Sequence, residues 1–558
     1  MRASKPLTLL LAVTAGITLW AAFPDTGWWP LTVIAVALLH EAWQRDHAGW
    51  NALVGYCAGI AFFLPHTWWA AEAATVPPWL ALTLVLQAPF FALAGALWTW
   101  ARRLPAVTTR TPLYVLTFAA VFTSAEQWRS RVPFGGFPWG RLAWSVADAP
   151  TGRAAWLAGS VLVTALLAVG GVLLTRAVEY GIQRDILASG ICLGAMGIAL
   201  FAPALLPLPS SNKAEPVANP AVTVVVDHGD RAVPVNGGTD LAEAGTLTVG
   251  IVQGGNANPG GDASYNAQQV LDNHRTGTRE LIATGVDFDL MVWPEDSAGW
   301  DPALPRNAAL AQSLDALSLQ AGAPLLIGTQ EFPQEGGRYN VMLLWNAGEG
   351  IIGRYAKQRP VPFGEYIPLR PLLERLSDQV ARVSTDMIAA ENAPVIEVPV
   401  TQRVDSNSTA PQGTVTLGMG ICFEVAYDDI FVDAIRHGAE VLIIPTNNAS
   451  FGITPQSTQQ LQMTRMQAIA TGRATVQVST VGVSGVISPD GTLVARTGLM
   501  SADHVIAEVP LRTTVTPAVT LGLWPGWMAL ALGPLLAACG GIVGHVRRTP
   551  RAATVASS

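Results

Sequence analysis

Cys422 closes an apolar run, Gly-Met-Gly-Ile-Cys-Phe-Glu (418–424), with Glu424 two places on and a helix predicted to start at 427–429. A thiol at a strand end, ahead of a helix N-terminus that favours thiolate, is a candidate nucleophile. A lone cysteine is more often an inert small hydrophobe, so its potential partners decide the matter. Val-Trp-Pro-Glu-Asp-Ser (292–297) projects Glu295 from the tip of a strand ended by Pro294. Gly-Arg-Tyr-Ala-Lys-Gln-Arg-Pro-Val-Pro-Phe-Gly-Glu-Tyr-Ile-Pro (353–368) carries Lys357 off a short strand and Glu365 in a Pro/Gly-rich loop. Taken singly, these are ordinarily a solvated turn carboxylate and a surface lysine. The imidazoles nearest in sequence context, His274, His437 and His504, fall in predicted helices or a terminal strand, so a Cys-His dyad has little support. A buried carboxylate can take the thiol proton instead, while an ammonium stabilises both the thiolate and the oxyanion of a tetrahedral intermediate.

These strand ends need a scaffold. Predicted strands are Thr248–Gln253, Phe288–Trp293, Pro324–Thr329, Val341–Trp345, Val415–Ile421, Val441–Thr446, Thr475–Val481 and Gly485–Ile487, with helices near 266–284, 306–321, 427–437 and 457–472. Strands apolar on both faces and joined by helices predict a layered α/β domain over 246–512. Residues 208–245, rich in Pro, Ser, Asn, Ala and Gly, read as a linker with a possible short strand at Val222–Val226.

The rest of the chain is of another kind. Of 558 residues, 50% are hydrophobic and only 13% charged, which excludes a wholly soluble or disordered protein. The net charge of −7 hides a division: residues 1–210 hold 12 Lys+Arg and 8 Asp+Glu, residues 211–519 hold 18 and 32, and residues 520–558 hold 3 and none. Sixteen of the 19 tryptophans lie in the two end regions, as expected of side chains anchored at a bilayer interface. Apolar runs at about 7–22, 30–44, 51–70, 79–101, 112–128, 154–175, 186–206 and 519–545 predict eight spans, seven in a membrane domain at 1–207 and one after the α/β domain. The first run, preceded by Arg2 and Lys5, reads as a retained helix, not a signal peptide, because six more spans follow it.

A cytoplasmic N-terminus places Arg2, Lys5, Arg45, the Arg102/Arg103/Arg110 loop, Arg176, Arg184 and the 546–558 tail on the inside. Seven spans then put the α/β domain outside. The outward loop 129–153 departs from the charge rule with four arginines, and its Phe-Gly-Gly-Phe-Pro-Trp-Gly (134–140), with Trp139, reads as a candidate lid or an interfacial anchor. Cys422 is the single cysteine of the outer domain, so no disulfide can form within that domain.

Trp-Pro-Glu, then Lys with Val-Pro-Phe-Gly-Glu following, then Ile-Cys-Phe-Glu resembles the Glu-Lys-Cys triad of the nitrilase, or carbon–nitrogen hydrolase, superfamily. With seven spans before and one after, the whole chain resembles the superfamily's membrane-embedded branch, the bacterial apolipoprotein N-acyltransferases. The resemblance implies a helical membrane bundle carrying an α-β-β-α sandwich in the bacterial cytoplasmic membrane. It implies transfer of a fatty acyl group from a phospholipid to the α-amino group of an apolipoprotein's N-terminal diacylglyceryl-cysteine, the last step of lipoprotein maturation, by a monomer. Cys422 would be the nucleophile, Glu295 the general base and Lys357 the oxyanion partner, with Glu365 and Glu424 in support and Asn340 near the site. Thr446–Gly452 resembles the family's Asn-rich strand-end loop, and Arg473 its Gly-Arg element. The chain departs from the pattern at Phe423, where a Tyr is frequent, and after the first strand, where a frequent Trp is missing.

Pulling a free acyl chain into water is prohibitive, at about 0.8 kcal/mol per methylene, so the site should face the membrane, with Pro360–Pro368 and Phe134–Gly140 as candidate lid loops. Two other functions stand beside this one: a membrane-tethered amidase acting on small amides, which leaves seven spans unexplained, and a transporter or receptor, for which Glu126 is the one notable intramembrane charge. No metal cluster, cofactor-binding loop or nucleic-acid patch is legible, and an outer domain of net charge −14 repels nucleic acid.

Overall fold

The computed structural model describes residues 4–217, 233–255, 263–375, 378–400 and 413–548. They form two compact units: Met1–Ala71, Thr75–Leu206 and Leu523–Ser558 in one, Glu72–Ala74 and Pro207–Gly522 in the other. The possible strand Val222–Val226 lies outside the described residues.

Each of the eight apolar runs contains a helix in the first unit: α1 (Lys5–Ala21), α2 (Pro30–Ala42), α3 (Ala48–His66), α4 (Val76–Ala101), α5 (Thr111–Arg129), α6 (Ala155–Ile182), α7 (Ile186–Phe201) and the helix Trp524–Arg548. Five of the described helical runs are long and apolar enough to cross a membrane: Ala48–His66, Val76–Ala101, Pro150–Ile182, Ile186–Leu205 and Trp524–Val546. At 17 and 13 residues, α1 and α2 fall short of the roughly 20 that a perpendicular crossing takes. In α5 polar residues are buried: Glu126 accepts hydrogen bonds from the Leu142 N–H (2.9 Å) and the Thr164 hydroxyl (2.6 Å), so its carboxylate is satisfied inside the unit. From the end of the same helix, Arg129 donates to Gln87 Oε1 (2.9 Å) and to the carbonyls of Phe137 (2.9 Å) and Trp139 (2.6 Å). The 134–140 loop is thereby held at its backbone. Trp139, expected at a lid or at the interface, is instead 1% exposed and packs its ring 5.2 Å from that of Trp69.

The second unit is built on two sheets. The first contains β1 (Val235–Asn236), β2 (Thr246–Gln253), β3 (Leu290–Val292), β4 (Leu325–Glu331), β5 (Tyr339–Asn346), β6 (Gly350–Ala356) and β13 (Asp503–Pro510), in the order β1-β13-β2-β3-β4-β5-β6. The second contains β7 (Val395–Val400), β8 (Gly413–Met419), β9 (Val441–Thr446), β10 (Thr475–Ser479), β11 (Gly485–Ile487) and β12 (Leu493–Arg496), in the order β12-β11-β10-β9-β8-β7. Strand alternation sends Leu247, Val249 and Ile251 of β2, and Met342 and Leu344 of β5, to the inner face, where they meet Val415, Leu417 and Met419 of β8 and Val441 and Ile443 of β9. The outer face of the first sheet, with Ile327, Val341 and Leu343, is covered by Leu271 and Leu281 of α8 (Ala263–Ala283) and Leu310, Leu314 and Leu317 of α9 (Ala308–Ala321). Helices α10 (Asp428–Arg436) and α11 (Gln456–Thr471) follow β8 and β9 in the second sheet, giving the α-β-β-α sandwich.

One stretch differs from the sequence reading. The stretch 208–245 is not only a linker, because β1 pairs in parallel with β13 and the Asn236 side chain accepts from the Gly238 and Thr239 N–H groups. Short strands such as β1, β7 and β12 lack a long apolar run, and it is pairing that makes them strands.

Candidate active site

Glu295 stands two residues past Trp293, whose N–H still donates to Leu326 O on β4. The turn at 294–296 then crosses directly over Gly328 of β4, where a Cβ would collide with Pro294 O, Asp296 N and Glu295 Cα. Glycine is therefore required at that crossing. Asp296 takes up the sharp change of direction at φ +55°. The result is a buried Glu295 carboxylate, 3% exposed, held by three donors. Asn340 Nδ2 (2.5 Å) and Lys357 Nζ (3.2 Å) donate to Oε1, and the Asn447 N–H (2.7 Å) donates to Oε2.

Lys357 follows β6 immediately and is wholly buried. Its N–H donates to Asn340 O (2.9 Å), and its ammonium lies between Glu295 and Glu365, 2.6 Å from Glu365 Oε1. Burial alone pulls the ammonium down, but the charges of Glu295, Glu365 and Cys422 outweigh it and hold Lys357 well above the ordinary lysine value. It is a fixed cation. Glu365 is itself fixed, since its Oε2 accepts from the Val361 N–H (2.7 Å).

Cys422 has φ +55°, a left-handed conformation that costs a non-glycine residue roughly 1–3 kcal/mol. It starts the short 3₁₀ turn Cys422–Ala426, so the helix at Asp428 begins a turn further on. The expected helix-terminus stabilisation of thiolate does not decide the outcome. Burial and then the Glu295 carboxylate push the thiol up to about 12, against the opposing pull of Lys357 and of the Thr446 hydroxyl, which donates to Sγ at 3.2 Å.

Glu424 is the clamp of the site. It accepts from the Ile421 N–H (2.7 Å) and Tyr355 OH (2.8 Å) at Oε2, and from the Gln358 (2.6 Å) and Arg359 (2.9 Å) N–H groups at Oε1. One buried carboxylate thus ties the lysine loop to the cysteine turn. Burial raises Glu424 above the usual carboxylate value, while Lys357 and these donors pull against that rise.

Of the other sequence candidates, Asn340 meets Glu295 directly, Phe423 is buried with its ring 5.6 Å from Tyr427, and Trp139 belongs to the membrane unit. Arg473 binds the carbonyls of Ala439 (2.9 Å) and Thr514 (2.7 Å) and has a structural role. His274 is buried beside Trp293 and accepts from the Gly254 N–H (3.3 Å); burial lowers it to about 4, leaving it neutral. Among the described residues there is no group of His, Cys, Asp and Glu that could hold a metal ion. The sequence reading did not single out Tyr355, the Asn447 N–H or Gln460. The run Gln-Ser-Thr-Gln-Gln-Leu-Gln (456–462), polar at positions that must face a core, was the available signal for the last.

Residues 15–173 match the family model for the apolipoprotein N-acyltransferase N-terminal domain, and residues 248–516 match that for carbon–nitrogen hydrolase. The apolipoprotein N-acyltransferase of Pseudomonas aeruginosa (strain LESB58) is 30% identical over 537 residues, covering 92% of either chain. That of Mycolicibacterium smegmatis is 29% identical over 535 residues, covering 92% of this chain and 82% of the relative. Among solved structures, a branch 10 member of the nitrilase superfamily from Saccharomyces cerevisiae is similar over 48% of this chain and 91% of its own, at 18% identity and a TM-score of 0.35. The fold and the matched domains define a membrane acyltransferase with a carbon–nitrogen hydrolase domain. More particularly, the chain belongs to the apolipoprotein N-acyltransferase family.

Proposed function

We propose that this chain transfers an acyl group from a phospholipid to the α-amino group of a diacylglyceryl-cysteine at the N-terminus of an apolipoprotein, through a thioester on Cys422. The observation that carries this reading is the convergence of Glu295, Lys357 and Glu365 in one buried ion-paired group, which sets the charge around Cys422. The two carboxylates and one ammonium give this group a net charge of −1. Ionising the thiol to bulk water adds a second negative charge, whereas passing its proton to Glu295 leaves the total unchanged. A thiol that is a poor acid toward solvent is still one that an adjacent base can activate.

In the first half-reaction Sγ attacks the ester carbonyl while Glu295 takes the thiol proton, and the Lys357 ammonium stabilises the oxyanion. The ester C–O bond breaks, the leaving alkoxide takes the proton from Glu295, and a lysophospholipid departs. In the second half the amine attacks the thioester, Glu295 accepts its proton, the C–S bond breaks and the thiol is re-formed. A monomer with its hydrolase-like domain on the outer side of the cytoplasmic membrane suits two lipid substrates that enter from the bilayer. The positive-inside pattern of the loops supports that orientation.

The test is mass spectrometry of the purified protein after incubation with labelled phospholipid. An acyl adduct on the Cys422 peptide, discharged by a diacylated lipopeptide, is the expected result. Hydrolysis of small amides with no adduct from phospholipid overturns the reading in favour of a tethered amidase.

A further inference from the structure

The Thr446 hydroxyl reaches Cys422 Sγ at 3.2 Å, yet it also lies 3.2 Å from Gln460 Oε1 and 3.5 Å from Asn448 Oδ1. A hydroxyl has one proton, so its surroundings decide which acceptor receives it. The decision starts at the Gly482 N–H, which can only donate and does so to Ser479 Oγ at 2.8 Å. The Ser479 hydroxyl in turn donates to Asn448 Oδ1 at 2.6 Å. The Asn448 carboxamide is thereby oriented with its NH₂ group toward Gln456 Oε1 (2.6 Å) and Gln460 Oε1 (2.9 Å). Gln460 in turn must present Nε2 to Thr446 Oγ1, at 3.0 Å. Thr446 accepts there, each competing oxygen already holds a donor, and the Thr446 hydroxyl is directed to sulfur at 3.2 Å.

Every member of the series is buried, with Thr446, Gln460 and Ser479 at 0% exposure, so no solvent can reverse it. At Gly482 a side chain would clash with Asn448 Oδ1, and the missing Cβ is what lets the bend between β10 and β11 pass. The series enlists Gln456 and Gln460 of α11, a helix whose Gln459, Thr464 and Gln467 are buried as well although polar. An amide left unsatisfied in such a place is destabilising, so the cluster persists because its bonds close.

We propose that Thr446 is a further catalytic residue, a hydrogen-bond donor to the sulfur of Cys422, and that Gln460, Asn448 and Ser479 are positioning residues that fix the direction of its proton. The donor favours thiolate during attack on the ester and stabilises sulfur as the leaving group when the thioester is aminolysed. Thr446 keeps its proton throughout. The charged groups facing the thiol remain Glu295 from the β3 tip, Lys357 after β6 and Glu365 in the following loop, and Thr446 adds a neutral donor from β9. The proposal rests on Cys422 as nucleophile for its catalytic meaning, but its test reads the thiol directly.

The experiment compares wild type, Thr446→Val, Thr446→Ser and Gln460→Leu for the pH dependence of iodoacetamide alkylation at Cys422, read on the Cys422 peptide, and for the rate of acyl-adduct formation. Loss of a hydrogen bond to a charged partner predicts that Thr446→Val alkylates about tenfold more slowly at fixed pH and acylates at least tenfold more slowly. Thr446→Ser should return both to within about threefold. Gln460→Leu leaves sulfur untouched but frees the hydroxyl to turn away, so it should shift the alkylation profile in the same direction by less. A Thr446→Val or Gln460→Leu profile that coincides with wild type overturns the proposal, and so does a Thr446→Ser profile as slow as that of Thr446→Val. Failure of Cys422→Ala to abolish transfer would instead sink the nucleophile assignment while leaving the alkylation result standing.

Discussion

Asn447 holds Glu295 with its backbone, not its side chain: the N–H donates to Oε2 at 2.7 Å, while Oδ1 is occupied by the Ala449 N–H and the Thr480 hydroxyl. The carboxylate from one sheet is therefore set by the main chain that follows β9 of the other.

Because the donor is an N–H, Asn447→Ala should keep Glu295 in place and lower the acylation rate by less than about tenfold. Asn447→Pro removes the donor and should cost roughly ten- to a hundredfold, as loss of a charge-assisted hydrogen bond of about 1.5–3 kcal/mol predicts. Equal rates in the two variants contradict the backbone role. Single-turnover acyl-adduct formation is the measurement.

The thiol is pushed up first by burial and then by the Glu295 carboxylate, with Lys357 opposing. Glu295→Gln should therefore speed alkylation of Cys422 at pH 8 while slowing acyl transfer by about 10²–10⁴ through loss of the general base. Lys357→Met should slow both. In wild type the alkylation rate should still be climbing at about pH 10, past the ordinary thiol value of about 8.5. Between that value and about 12 the unfolded chain is the better acid, so native stability falls as pH rises through the window. Slower alkylation in Glu295→Gln would falsify the assigned electrostatics.

Glu424 and its four donors predict a separation between two variants. Tyr355→Phe removes one donor and should cost about 1 kcal/mol of stability with acylation within a few-fold of wild type. Glu424→Ala leaves the Ile421, Gln358 and Arg359 N–H groups without their acceptor and releases both loops, so transfer should drop by more than about a hundredfold. Thermal unfolding and adduct kinetics on the same preparations check this.

At Gly328 the added methyl of Gly328→Ala meets the 294–296 turn head on. An overpacking cost of about 1–3 kcal/mol is expected, together with displacement of Glu295. A fully active, equally stable Gly328→Ala protein would show that the turn has room to move.

The proposed triad was legible in the sequence because each member follows a strand readable in the chain: Leu290–Val292, buried throughout, before Glu295, Gly350–Ala356, buried only at Tyr355 and Ala356, before Lys357, and Gly413–Met419, buried toward its end, before Cys422. What surrounds the triad was not. Asn447 acts through its N–H, which every residue but proline has, and Tyr355 and Gln460 act through partners 69 and 14 positions away. The direction of the thiol's shift was misread for the same reason. A helix start at 428 is visible in the chain, but the burial and the Glu295 charge that outweigh it exist only after folding. Trp139, read as part of a candidate lid or as an interfacial anchor, has a buried ring in a loop that Arg129 holds by its carbonyls, a contact that no local sequence signal carries.

The strand synthesised last in the hydrolase-like unit, β13, is not at an edge. It lies between β1 and β2 and pairs with β2 over eight positions, from Asp503 opposite Gln253 to Pro510 opposite Thr246. On a ribosome, β2 through β12 can be complete while one side of β2 still shows an unpaired row of N–H and C=O groups, open to pairing with any neighbouring chain. A nascent chain released after β12 but before β13 therefore keeps that side of β2 unpaired, an edge prone to aggregation and not a smaller enzyme.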